Sequence, residues 1–418
     1  MQFHPFRLIA WFRMHASVGC RTGDHARRIA YLLIGLLLGL ANPRLVLAQG
    51  VNLEIPYEMV EVPLDTNGAT SITYESTSVR IDPAKYDGIA NVYLEADVYA
   101  YGGGNKTVTL VDENNIQYGS ITTGSVGTSG NPKRLRSPSF ALNAAARTYK
   151  IKLGKNVTIY RARILIRQTA ATKTVVQIPF LNWENRSLAV STELGNAYII
   201  LSVTSNYEVQ SSDMRYRWRK DSAQYATIST FRWDVLANVT AANTTGYVSL
   251  FNSTHNTQIA ESELSWTETA ITRKSVTFAG NATNFAELDD FQPLGKRTTT
   301  SGGNLLIYKA DLYIELTSLS RAEVYQRVGG RHNTLGFDEI FNDGHVLYDA
   351  TRYSNPIVSF EAVGVYTDPS ANYAVYLYDH GVNDDGNTGG SNVSSSIVTG
   401  WNMTQSRQRS SPPDLDQQ

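Results

Sequence analysis

The sequence predicts an all-β protein built of tandem antiparallel β-sandwich modules, jelly-roll-like, with the third module incomplete. Three observations point there. Short stretches alternate apolar and polar residues with a period of two, as in ANVYLEADVYAY (90–101), where Val92, Leu94, Ala96, Val98 and Ala100 share one face. Similar stretches recur at intervals the size of a domain. The composition is rich in Tyr (24), low in charge (18%) and poor in Met (5) and Cys (1), which suits exposed pleated surfaces.

Taken in chain order, the first segment stands apart. RTGDHARR (21–28) precedes the apolar run IAYLLIGLLLGLA (29–41), and Val46-Leu47-Ala48 offers a cleavage site. This is the layout of a secretory signal over residues 1–48, with Met14 as an alternative start; an uncleaved N-terminal anchor is the rival reading. The single cysteine, Cys20, lies within it, so the exported chain has no disulfide and relies on core burial or assembly. The mature chain carries 31 basic and 37 acidic residues, which gives no electrostatic footprint for nucleic acid.

Three modules follow, at 49–170, 171–319 and 320–418. TVTLVD (107–112), YVSLFN (247–252) and AVYLYD (374–379) align, with Val108, Val248 and Val375, then Leu110, Leu250 and Leu377, then Asp112, Asn252 and Asp379 in register. The strand before each also recurs, as WDVLANVTAA (233–242) and PIVSFEAVGVYT (356–367). IYRARILIRQ (159–168) matches IYKADLYIEL (307–316) at a spacing of 148, placing Tyr160, Ala162, Ile164 and Ile166 on one predicted face with Tyr308, Ala310, Leu312 and Ile314. The opposite face holds Arg161, Arg163 and Arg167 in one copy and Lys309, Asp311 and Glu315 in the other, and reads as solvated charge. Basic stretches at 134–140, 272–278 and 407–412 fall between these strands. Residues 138–149 and 279–291 each read as a helical turn at most. An immunoglobulin-like topology is the alternative, though no Cys-Trp-Cys framework supports it. A third copy of the Tyr-x-Ala strand is absent from the sequence, so the last module is expected to lack about its final two strands. Either another chain completes it, with residues 50–62 of a neighbour as donor, or its strands lie in residues beyond those given.

Candidate site residues are few. None of His255, His332, His345 and His380 makes a metal-ligand spacing, and the sequence holds no GxSxG, Walker loop or GxGxxG behind a strand. No pair of carboxylates stands out, so an enzyme is not expected. The acidic loop DHGVNDDGNTGGSN (379–392) offers Asp379, Asn383, Asp384, Asp385 and Asn387 as hard oxygen ligands for calcium, without EF-hand spacing; the plainer reading is a solvated hairpin loop. FDEIFNDGH (337–345) is a weaker case of the same kind. For a glycan, aromatic rings on outer faces are the candidates: Tyr93 and Tyr99, with Tyr101, on one strand, and Tyr216 and Trp218 in MRYRWRK (214–220), where the plainer reading puts the rings in the core. Nine Asn-x-Ser/Thr sequons follow residue 48, at Asn105, Asn156, Asn185, Asn238, Asn243, Asn252, Asn281, Asn392 and Asn402.

These features imply a secreted or cell-surface, non-enzymatic structural protein without a membrane span once the signal is removed. It needs no cofactor, calcium being the one candidate. Net charges of +2, −2 and −6 along the three modules favour head-to-tail contact with a second copy. The alternative is a carbohydrate-binding or adhesive extracellular protein.

Overall fold

The structure, a computed structural model, describes residues 52–60, 64–66, 68–127, 132–169, 172–180, 198–200 (backbone only), 217–225, 227–298, 303–318, 322–325 and short stretches between 352 and 409. The signal-like segment, Tyr216, Asn383, Asp384, Asp385, Asn387 and the 337–345 stretch lie outside the described residues.

Nine strands make the first sandwich: β1 (Leu53–Val60), β2 (Leu64–Asp65), β3 (Ser71–Ile81), β4 (Ile89–Ala100), β5 (Lys106–Asp112), β6 (Gln117–Thr123), β7 (Lys133–Arg136), β8 (Arg147–Gly154) and β9 (Val157–Gln168). One sheet runs β1-β9-β4-β7, with β2 added beside β9, and the other β3-β8-β5-β6. Every pairing is antiparallel. That order is the two-sheet jelly roll, eight strands in two interlocked Greek keys. The inward residues of both sheets form one core, including Ile55, Tyr57, Val92, Leu94, Val98, Leu110, Tyr149, Ile151, Ile164 and Ile166.

The second sandwich repeats the scheme. Its strands are β10 (Thr174–Pro179), β11 (Tyr198–Ile200), β12 (Trp218–Arg219), β13 (Thr227–Val239), β14 (Gly246–Asn252), β15 (Thr257–Gln258), β16 (Leu264–Trp266), β17 (Thr272–Phe278), β18 (Asp290–Arg297) and β19 (Leu305–Ser318). The sheets run β10-β19-β13-β17 and β12-β18-β14-β15, with β16 also on β14 and β11 on β19. Stretches 159–168 and 307–316 thus hold the same place, each between an edge strand and the long strand β4 or β13. Three tryptophans, Trp218, Trp233 and Trp266, are fully buried in this core. Beyond it, β20 (Glu361–Gly364) pairs with β23 (Ser406–Arg409), and β21 (Tyr378–Asp379) with β22 (Ser391–Asn392). Among the described residues the chain is otherwise turns and coil, with one-turn 3-10 helices at Pro83–Lys85, Ser222–Gln224 and Ala260–Ser262; neither 138–149 nor 279–291 holds a helix.

Two details differ from the sequence reading. First, Tyr160 and Tyr308 do not continue the core-facing side of their strands. The register steps from Asp97↔Arg161 to Val98↔Ile159, so β9 carries one extra residue, Tyr160; Tyr308 is the extra residue of β19, between Lys309 and Ile307. A β-bulge of this kind reverses the alternation, and the core face passes to Ile159 and Ile307, both fully buried. Second, the charges expected in solvent are inside. Arg161 and Arg163 are each 3% exposed, Lys309 7% and Asp311 1%.

The match of Asp112 with Asn252 has a local cause. Asp112 Oδ1 accepts from the amides of Asn114 and Ile116 (both 2.9 Å), and Asn252 Oδ1 accepts from those of Thr254 (3.0 Å) and His255 (3.1 Å). Each side chain closes the turn after its strand, as Asp and Asn do best.

Candidate functional site

Trp218 is the clearest correction among the candidate residues. It is wholly buried, with Phe231, Phe285 and Phe291 all within 6.4 Å of it, ring centre to ring centre. An indole so enclosed has no face to offer a sugar. The flanking Arg219 is exposed and holds Asp290 at 2.9 Å. Asp379 ends β21. Among the described residues no three His, Cys, Asp or Glu side chains gather into a metal-binding group. Of the sequons, Asn252 is fully buried and donates to Asn284 O (2.9 Å) and Asp289 Oδ2 (2.7 Å), and Asn238, 8% exposed, donates to Thr269 O (2.7 Å). Neither amide can carry a glycan in the folded chain. Asn105, Asn243 and Asn281 are exposed.

Tyr93 and Tyr99 do lie on the outer face of the β1-β9-β4-β7 sheet, but not together. Six residues apart on one strand, they are about 20 Å from each other. Tyr93 sits beneath the Arg136 guanidinium, 5.3 Å from ring centre to cation. Tyr99 stands beside Tyr101, ring centres 5.3 Å apart and planes inclined by 31°.

Between them runs a ladder of buried ions that the sequence pattern did not reveal. Glu58 of β1 pairs with Arg161 of β9, and Arg163 of β9 with Glu95 of β4. Glu95 also takes Arg136 of β7 (2.6 Å), while Arg134 reaches Asp97 (3.2 Å). Glu54 receives Arg136 at 3.6 Å and Arg352 at 3.3 Å. Burial works to raise the pKa of Glu95, but Arg163 and Arg136 outweigh it and hold the carboxyl below its ordinary value. Each of these charges thus has an opposite one within reach, for Glu58, Arg161, Arg163, Glu95, Arg134 and Asp97 on the neighbouring strand and for Glu54 from farther off, the condition on which such ions are tolerated inside a protein.

The equivalent face of the second sandwich is covered by the first. Tyr313 and Val175 enter the core of the first sandwich, and Tyr313 stacks on Tyr57 with ring centres 5.9 Å apart. The polar groups around them are paired. Glu58 N donates to Gln177 Oε1 (2.7 Å), Lys309 Nζ to Glu58 O (2.6 Å) and Arg273 Nη2 to Ser78 Oγ (2.8 Å). At the rim Lys85 meets Glu315 at 2.9 Å. The edge between β1 and β3, where the first sandwich would otherwise open, is therefore closed by β10 and β19. Val324 packs on the same core, and its neighbours Ala322 and Tyr325 on the core of the second sandwich.

No protein-family model matches this chain, and no curated protein matches it either. Among solved structures it is similar to the PBSX exported protein XepA (7% identity, 62% of this chain and 86% of that one, TM-score 0.18). It is similar also to a putative secreted protein from Parabacteroides distasonis (8% identity, 62% and 88%, TM-score 0.19). A third is the tandem CBM22 domain of Paenibacillus barcinonensis Xyn10C (10% identity, 57% and 82%, TM-score 0.16). At these TM-scores the likenesses carry no argument.

Proposed function

We propose that this protein is an exported, non-enzymatic structural component of a cell surface or extracellular layer, in which jelly rolls follow one another through stiff junctions. The junction carries the reading. A flexible linker would leave the two sandwiches independent, whereas here a tyrosine and a valine of one complete the core of the other, and buried hydrogen bonds fix the angle between them. A body that resists bending serves as a spacer or scaffold. The signal-like residues 21–48 and the cysteine-free remainder support export.

Fractionation of the producing cells, with N-terminal sequencing and small-angle scattering on the recovered protein, tests this. The expected result is a chain outside the cytoplasm beginning near Gln49, whose scattering fits a single fixed arrangement of the two sandwiches. A full-length chain confined to the cytoplasm, or scattering that demands freely hinged domains, overturns it.

A further inference from the structure

At the other end of that outer face, three strands bring a set of polar and aromatic side chains into one row. Asp65 of β2 lies opposite Thr158 of β9, and Tyr99 of β4 lies opposite Thr158 from the other side. Residues in register share a face and stand about 5 Å apart across the strands. Tyr101 follows two positions after Tyr99, ring against ring, and the bulge residue Tyr160 follows two after Thr158. Asp65 is exposed, Tyr99, Tyr101 and Tyr160 are half-buried, and Thr158 between them is buried, at 7% exposure.

The backbone beneath is fixed from several sides. The Thr66 amide donates to Val157 O (3.1 Å) and Val157 N to Thr66 Oγ1 (3.2 Å), pinning β2 to the start of β9. Tyr101 N donates to Asn156 O (3.2 Å), and Ala100 and Val126 exchange amide hydrogen bonds of 2.9 Å each. Asn156 takes a left-handed turn (φ 57), and Gly102 (φ 74) passes so close that a Cβ there would lie 3.0 Å from Asn156 Nδ2.

The second sandwich shows that the fold does not require these residues. The same register positions hold Ile199, Leu306 and Asn238 in place of Asp65, Thr158 and Tyr99. Of the row only the bulge tyrosine is common to both, and Tyr308 is 4% exposed.

We infer that Asp65, Tyr99, Tyr101, Thr158 and Tyr160 form a saccharide subsite on the outer face of the first sandwich. Its ligand is a neutral pyranose unit of a polysaccharide. The tyrosine rings offer apolar faces for the C–H side of a pyranose, with phenolic groups at their tips, and the Asp65 carboxylate accepts from sugar hydroxyls. A preformed backbone spares the ordering cost of binding.

The test uses the exported full-length chain and short neutral cello-, xylo-, manno- and chito-oligosaccharides in solution, read by calorimetry and by chemical shifts of tyrosine ring protons. At least one class binds the unaltered protein. Tyr99→Ala and Tyr101→Ala weaken that binding about tenfold or more, Asp65→Asn by less, and Tyr93→Ala, distant on the same strand, leaves it unchanged. Unchanged thermal midpoints accompany each loss; if an alanine variant fails to fold, Asp65→Asn and Tyr160→Phe must still weaken binding. The inference is overturned if no class binds, if the Tyr99 and Tyr101 variants bind as the parent does, or if Tyr93→Ala alone abolishes binding.

Discussion

The outer faces of β1-β9-β4-β7 and β10-β19-β13-β17 occupy the same place in two copies of one fold, yet they solve the burial of charge in opposite ways. In the first sandwich Glu95 stands across the strands from Arg163, an acid against a base. At the equivalent position of the second, Asp234 stands across from Asp311, an acid against an acid. The first face is a self-neutralising ladder. On the second, Asp234 is answered by Arg232 (3.2 Å) and by Arg273, while Asp311 has Lys309 at 3.7 Å and accepts from the Tyr313 hydroxyl (3.2 Å). Burial, only partly offset by Lys309, raises the pKa of Asp311 above its ordinary value. The inward residues Ile164, Ile166, Leu312 and Ile314 are interchangeable hydrophobes, each fully buried. Two sandwiches of one topology thus share their core chemistry and differ on their faces, one of which is an internal joint.

Breaking the joint gives the largest expected effect. Tyr313→Ala removes the ring that stacks on Tyr57 and completes the first core, and costs about 4 kcal/mol, the usual loss for an enclosed aromatic. The loss concerns the coupling of the two sandwiches more than either alone. Denaturation followed separately in β4 and β13 by amide exchange reads it: coincident opening in the parent splits into two events in the variant. Separate opening already in the parent would mean that the sandwiches do not stabilise each other, and coincident opening in the variant too would mean that the Tyr313 ring is not what couples them.

Breaking the ladder comes next. Arg163→Met leaves Glu95 buried, at 2% exposure, with Arg136 at 2.6 Å and Arg134 at 3.8 Å as its remaining partners, and costs about 3 kcal/mol. Protection on β4 and β9 falls, while that on β13 and β19 holds. Coupling the change to Glu95→Gln recovers part of the loss, because the orphaned charge is then gone. A single variant as stable as the parent would show the ladder to be ornamental.

Much of this comparison was legible in the sequence, and the remainder has definite reasons for being hidden. Alternation in 90–101 placed Val92, Leu94, Ala96, Val98 and Ala100 inside, because side chains of a strand must point alternately to its two faces. The spacing of 148 located β9 and β19 in the same slot. Alternation fails where a bulge adds a residue, which is why Tyr160 and Tyr308 read as core-facing when Ile159 and Ile307 hold that place. The burial of Arg161, Arg163 and Asp311 was out of reach, since a local pattern cannot say what packs on the outer face of a strand. Trp218 was ambiguous for a related reason: a basic strand with one aromatic side reads more readily as a core strand with solvated arginines, but also as a ligand platform. The row Asp65, Thr158, Tyr99 comes from three strands far apart in the chain, and nothing short of the register unites it.

The smallest effect is one of slope, and it separates the two faces by sign. Glu95, its pKa lowered, gives stability that is present above the ordinary glutamate value of about 4.3 and fades as pH falls through its folded pKa. Asp311, its pKa raised, does the reverse: the native state holds the proton more firmly than the unfolded chain. Its contribution is complete below the ordinary aspartate value of about 3.9 and is lost as pH rises through the folded pKa. Asp234, Lys309, Arg273 and Gln177 face this carboxyl from the strands around it and set how far the window extends. Asp311→Asn keeps an acceptor for the Tyr313 hydroxyl and removes the titration. In chemical denaturation between about pH 4 and neutrality, the parent carries a component that weakens with rising pH, and the variant lacks it. Identical slopes would place the ionised Asp311 at no disadvantage in the joint, and the contrast between the two faces would then rest on geometry alone.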